Sequence, residues 1–210
     1  MRPSRLNTIV DGIFAIAMTL LVLDLPRPSL SKELVHDLEI NWDAYVAYVV
    51  SFATLGVVWL EHHGMMIAVR RTSRRFIEVT LVFLLFIALL PWPTALAAEF
   101  IDQHRAARVV TVLYSTNMLF IALALSGSWA YLSRRPGFIS PDLEGNFRAS
   151  LPRTTIVCIP YLVAILVAFF SPLASLFIDG AIVLYLAISS SPLERVESGS
   201  LGAAEEEEEG

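Results

Sequence analysis

The apolar positions of this chain fall into six long runs separated by short polar or proline-rich stretches. The runs cover about 5–25, 42–63, 76–98, 107–131, 151–169 and 173–189. Stretches of this length and polarity suit helices that cross a bilayer, whose hydrocarbon core takes roughly 20 residues of α-helix. The expected fold is therefore an all-α, polytopic transmembrane bundle of six helices. Prolines punctuate it. Pro26 and Pro28 close the first run, Pro91 and Pro93 lie near the end of the third, Pro160 lies within the fifth, and Ser171-Pro172 turns the chain into the sixth. Proline lacks the N–H that continues a helical ladder, so each position predicts an end or a kink. Between the first two runs, residues 29–41 suit a short surface helix or a turn.

Composition agrees with the pattern. The 210 residues are 56% hydrophobic and 17% charged. The formal charge of −5 is carried by Glu205–Glu209, and the rest is close to neutral, with no basic surface that predicts nucleic-acid binding. Residues 1–190 thus read as one membrane domain and 191–210 as a disordered, acidic tail rich in Ser, Gly and Glu. Eleven arginines precede span one, lie between spans two and three and four and five, or follow span six. Arg27, Lys32, Arg105 and Arg108 lie on the other side. Basic loops stay in the cytoplasm, so both termini are expected there.

The polar residues inside the runs are the candidates for function, because such groups are expensive in hydrocarbon. The first run carries Arg5, Asn7, Thr8, Asp11 and Thr19. Its Ile16, Leu20 and Leu23, spaced i, i+4 and i+7, share one helical face. That stripe suits either ordinary helix packing or an apolar gate that excludes water from a narrow pore. His62 and His63 are adjacent, hence about 100° apart on a helix, and do not make a metal pair by spacing. Trp59 and His63 share a face, and one of the two histidines is a candidate partner for Asp11 or Arg5. Asn117 reads as a helix–helix hydrogen-bonding residue, Glu78 as a partner for a loop arginine. Asp179 reads as a residue where the last span dips toward the interface, with a proton or cation relay as the competing reading. Cys158 lies in an apolar run and implies neither disulfide nor zinc. No GxSxG, P-loop, dinucleotide fingerprint or HExxH motif is present, so no enzyme chemistry and no cofactor is expected.

The first run resembles the signature of the endo-lysosomal potassium channel family, and more closely that of its bacterial single-repeat homologues. Arg5 takes the arginine position, Asp11 the aspartate, and Ile16, Thr19, Leu20 and Leu23 the remainder. Ile9 and Val10 stand where the family has Phe-Ser. Trp59 with His62 and His63 is similar to the end of the family's second helix. Leu84–Thr94, LLFIALLPWPT, is similar to its third, with Thr80 where asparagine is common, and Tyr114 with Asn117 fits its fourth. The likeness spans roughly 5–189. It implies a homotetramer in a bacterial plasma membrane whose first helices line a central path for potassium and other monovalent cations, without the TVGYG filter. It further implies that Ile16, Leu20 and Leu23 form the constriction and that Thr19 offers a hydroxyl near the ion. Arg5, Asp11, Trp59, His63 and Asn117 then form a bracing network. A secondary transporter and a non-conducting membrane scaffold are the alternatives.

Overall fold

The computed structural model describes residues 3–26, 34, 38–39, 41–100, 103–135 and 137–189. The acidic tail, and most of the 29–41 segment, lie outside the described residues. Eight α-helices carry the described chain: α1 (Pro3–Leu21), α2 (Trp42–Ile67), α3 (Arg74–Leu89), α4 (Pro91–Phe100), α5 (His104–Ser133), α6 (Glu144–Ile156), α7 (Cys158–Ala168) and α8 (Pro172–Ile188). Short 3-10 turns follow α1 at Val22–Asp24 and precede α6 at Pro141–Leu143.

These helices make the six spans the apolar runs predict. Pro3–Leu21, Ala44–Ile67, Arg74–Phe100, Arg105–Ser133 and Pro141–Ala168 are each long and apolar enough to cross a bilayer, and Pro172–Ile188 is a shorter sixth of 17 residues. Two spans are broken helices, and proline chemistry places both breaks. Pro91 and Pro93 cannot donate to carbonyls a turn earlier, so α3 passes into α4 at Leu90. The Leu90 N–H turns back to the Ile87 carbonyl (3.2 Å), and Thr94 Oγ1 donates to the Leu90 carbonyl (2.9 Å), so the break leaves these groups bonded. In the fifth span Pro160 removes the donor that would reach Ile156, and the helix breaks at Val157. Ser126 Oγ on α5 donates to the neighbouring Thr154 carbonyl (2.7 Å). The turn at Ser171-Pro172 is a helix start. Ser171 Oγ accepts from Ala174 N–H, and Pro172 occupies the first helical position, where a missing N–H is harmless.

The longest helix, α5, is the hub, packing against α3, α4, α6, α7 and α8. Its Trp129 is fully buried against Phe147 of α6, with ring centroids 4.3 Å apart. The two arginine-bearing loops, after α2 and after α5, are joined at one end of the bundle. Arg70 N–H donates to the Phe138 carbonyl (2.8 Å), Ser140 N–H to the Ala68 carbonyl (2.9 Å), and Arg70 Nε to Ser140 Oγ (2.9 Å). Gly137, with φ of 86°, makes the turn into this bridge, a conformation that side-chain-bearing residues rarely adopt. The short ladder puts both basic loops on the same side of the bundle, as their charge pattern predicts. Beside it Arg74 pairs with Glu78 one helical turn on (2.9 Å), the loop-arginine partner expected for that acid.

Candidate functional site: the outward face of the first helix

In α1 the buried residues are Leu6, Val10, Phe14, Ala17 and Leu21. Their spacing of three and four draws one stripe, which packs on α2, α3 and α4. Everything on the other side of the helix is left uncovered by the protomer. Ile16 is 59% exposed, Leu20 41% and Leu23 65%. The three apolar residues therefore stay only partly covered by their own subunit and lie outside its core. Thr19 lies among them on the uncovered side, and its hydroxyl donates to the Ile16 carbonyl (2.8 Å). With its hydrogen committed to the backbone, the Thr19 oxygen presents lone pairs outward. A Cβ added at Gly12 would meet nothing within 4 Å, so the protomer leaves that side of the helix open as well.

A polar and aromatic cluster fixes α1 to α2. Trp59 Nε1 donates to Asp11 Oδ1 at 2.9 Å. The Trp59 ring stacks on His63 one turn later, centroids 5.2 Å apart and planes 27° from parallel. His62 is buried and stacked on Phe83 of α3 (5.3 Å, 9°), and Phe83 in turn meets Phe14 of α1 (5.9 Å). The roughly 100° step between neighbouring helical residues thus puts one histidine on the Trp59 ring and the other against Phe83 in the core.

The five residues expected to form a network are not one cluster in the protomer. Asp11, Trp59 and His63 come together. Arg5 is exposed and makes no ion pair among the described residues. Six residues separate it from Asp11, about 240° around the helix, so the two side chains leave on different faces. The hydrogen-bond donor to Asp11 is the indole, not Arg5, and His62 lies within electrostatic reach of the same carboxylate. Asn117 lies on α5, donating from Nδ2 to the Phe86 carbonyl of α3 (3.1 Å). That is a helix–helix bond, as its position suggests, remote from α1.

Two buried ionisable sites are placed otherwise than the sequence suggests. Glu61 of α2 and Arg153 of α6 form a two-pronged ion pair, Nη2 on Oε1 and Nη1 on Oε2, with both side chains largely buried; Arg153 Nη2 also reaches the Leu186 carbonyl of α8 (3.2 Å). Arg153 counts in the sequence as one more basic loop residue, whereas α6 starts nine residues earlier and carries it into the bundle. A glutamate inside an apolar run is the signal for its presence, since such a group needs a partner in hydrocarbon. The second group is Asp179. In place of the turn that a dip toward the interface would need, α8 runs unbroken through Gly180, and Asp179 sits mid-helix, 2% exposed. Ser115 Oγ of α5 lies 2.6 Å from its Oδ2.

The comparisons with known proteins agree with this architecture. The family model described as endosomal/lysosomal potassium channel TMEM175 matches residues 5–91. A potassium channel of Streptomyces collinus is 34% identical over 199 residues, covering 93% of this chain and 97% of that one. The endosomal/lysosomal proton channel TMEM175 of Homo sapiens is 32% identical over 128 residues, 56% of this chain but only 25% of the human protein. The crystal structure of a lysosomal potassium-selective channel TMEM175 homologue from Chamaesiphon minutus superposes with a TM-score of 0.80 at 29% identity, covering 89% of this chain and 96% of that one. With a relative this similar over nearly its whole length, and a signature carried by the very helix that leaves its apolar stripe uncovered, the chain belongs to the TMEM175 family of potassium channels.

Proposed function

We propose that the chain is a potassium-permeable cation channel, working as a homotetramer in a bacterial plasma membrane with both termini in the cytoplasm. Four copies of α1 surround one axis, and ions pass between them down their electrochemical gradient. The observation that carries this reading is the outward stripe of α1. A membrane helix that buries one face in its subunit, and turns Ile16, Leu20 and Leu23 away from it, is built to meet something outside the protomer. Rings of these residues from four subunits make a narrow apolar constriction that sheds water when closed and conducts when widened and hydrated. Thr19 supplies an oxygen beside the path. The Asp11–Trp59–His63 cluster fastens the exposed flank of the same helix to α2, fixing its tilt without touching the ion. The Streptomyces and Chamaesiphon relatives, named as potassium channels, support the choice of ion.

The test is a matched set of potassium and sodium currents from purified protein in bilayers, normalised to assembled protein. Leu20→Asn and Leu23→Asn each hydrate the constriction, and leak rises well above that of the parent. Unchanged leak and unchanged selectivity in both, and in Ile16→Asn, place the pathway elsewhere. Slow, saturable flux without unitary currents replaces the channel with a transporter.

A further inference from the structure

The seam between α5 and α8 contains a chain of three oxygen contacts. Asp179 Oδ2 lies 2.6 Å from Ser115 Oγ, Ser115 Oγ lies 3.3 Å from Ser175 Oγ, and Ser175 Oγ donates to the Ala164 carbonyl of α7 at 2.8 Å. All three side chains are buried. Each serine hydroxyl has a single hydrogen to donate. The Ser175 hydrogen goes to the Ala164 carbonyl, which can only accept. The Ser115 hydrogen can then serve one of its two contacts. If it goes to an ionised Asp179, the Ser115–Ser175 contact has no hydrogen, and Asp179 Oδ1 remains a buried carboxylate oxygen with no partner. Three contacts require three hydrogens, and the serines supply two.

A proton on Asp179 completes the series. The carboxyl donates from Oδ2 to Ser115, Ser115 donates to Ser175, and Ser175 donates to Ala164. Every hydrogen then runs in one direction, and Oδ1 is left as a neutral carbonyl oxygen instead of half of an unpaired charge. Burying an ionised carboxylate without a counter-charge is far more expensive than burying a neutral acid. No ion pair reaches Asp179 among the described residues. The titratable groups that face it, Tyr114 of α5 and Tyr161 of α7, are themselves buried and carry no positive charge.

We infer that Asp179 is a proton-binding site within each subunit, the head of a hydroxyl relay through Ser115 and Ser175 that lies in the α5–α8 seam and apart from α1. The ligand is a proton, bound at Oδ2. This assignment is independent of where the potassium pathway runs. It also makes the relay reversible in sense: if the proton leaves Oδ2, the Ser115 hydroxyl swings back to the carboxylate and its contact with Ser175 is given up.

Infrared spectroscopy of the full chain in nanodiscs at neutral pH tests it. The parent shows the C=O stretch of a protonated carboxylic acid. That band moves to lower frequency when aspartate is labelled with carboxyl-13C, stays in place when glutamate is so labelled, and is lost in Asp179→Asn. The amide of the variant can donate to Ser115 as the acid does. Ser115→Ala supplies a second reading, because removal of the acceptor moves the aspartate band without abolishing it. No aspartate-labelled band in the parent, the same band in Asp179→Asn, or an unmoved band in Ser115→Ala overturns the assignment.

Discussion

The first helix and the fourth span carry similar loads of apolar sequence and use them in opposite ways. Of the most apolar stretch of Pro3–Leu21, 28% is buried inside the protomer, against 61% for that of Arg105–Ser133. The fourth span is the hub to which other helices attach. The first is a wall with one finished face. Their acids differ accordingly. Asp11 sits on the exposed side of α1 and takes one hydrogen bond from an indole, whereas Asp179, on the helix that leans against α5, is enclosed. The difference teaches that a polar residue in a membrane run can be tolerated by two routes. It can be kept on a face that the subunit itself does not cover, or it can be surrounded by groups that satisfy it. The first route leaves a surface available for assembly and conduction. The second makes a fixed internal point around which helices are positioned.

If that contrast is right, substitutions at enclosed polar groups destabilise the fold and substitutions on the wall do not. The largest effect is expected at the Glu61–Arg153 pair. Glu61→Ala leaves a buried guanidinium without its carboxylate and costs about 3–5 kcal/mol. Replacing both partners, Glu61→Met with Arg153→Leu, recovers most of the loss, since a packed apolar pair needs no compensation. Unfolding of the full chain by denaturant in a fixed detergent measures both. An unchanged midpoint in Glu61→Ala would mean that water reaches the pair, and the enclosed interior would lose its distinction from the wall.

The reading of the sequence succeeded where the signal is local. Run lengths locate the spans, and prolines at 91, 93, 160 and 172 locate breaks and a helix start, because the missing N–H acts on carbonyls within one turn. The stripe of Ile16, Leu20 and Leu23 is visible as spacing alone. What it faces is not, because a one-face pattern looks the same whether the partner is a neighbour in the subunit or another copy. Readings that need distant partners fared worse. Glu61 and Arg153 are 92 residues apart and nothing in either run names the other. For Asp179, Pro172 and the adjacent Gly180 leave the course of the last span open in the sequence. Pro172 in fact occupies a position that tolerates it, and Gly180 lies inside a continuous helix. Arg5 and Asp11 look like a pair by charge, and helical geometry parts them.

An intermediate effect is expected where the wall is fastened to the bundle. Trp59→Phe keeps the ring that stacks on His63 and removes only the N–H that Asp11 accepts. The bond is to a charged group but is open to solvent in the protomer, so its loss lowers stability by about 1 kcal/mol. The same substitution loosens the tilt of α1, and single-channel conductance becomes heterogeneous while mean assembly is retained. A variant with parental conductance and a loss as large as that of Glu61→Ala would show that this cluster belongs to the enclosed interior, and the contrast between the two regions would have to be redrawn.

The smallest effect on stability, and the most informative one on function, is expected at Thr19. Its hydroxyl donates to the carbonyl of Ile16 in its own helix, so Thr19→Val deletes a bond that competes with helix geometry and not one that joins two elements. Stability changes by no more than about 0.5 kcal/mol, as for an uncovered surface position. The oxygen that remains in the parent has its lone pairs free to contact a partly dehydrated cation. Valine has nearly the same shape and no oxygen, so the substitution isolates chemistry from pore width. An interaction on the scale of one hydrogen bond, about 1 kcal/mol, corresponds to roughly a fivefold change in the ratio of potassium to sodium permeability. Reversal potentials under bi-ionic conditions read that ratio directly, and zero-voltage leak reads the gate. The expected result is a reduced ratio with leak altered much less, the mirror image of the asparagine substitutions at Leu20 and Leu23. A permeability ratio identical to that of the parent would remove Thr19 from the ion path. A leak as large as that of Leu20→Asn would mean that position 19 packs the constriction, placing it with Ile16, Leu20 and Leu23 as part of the apolar ring.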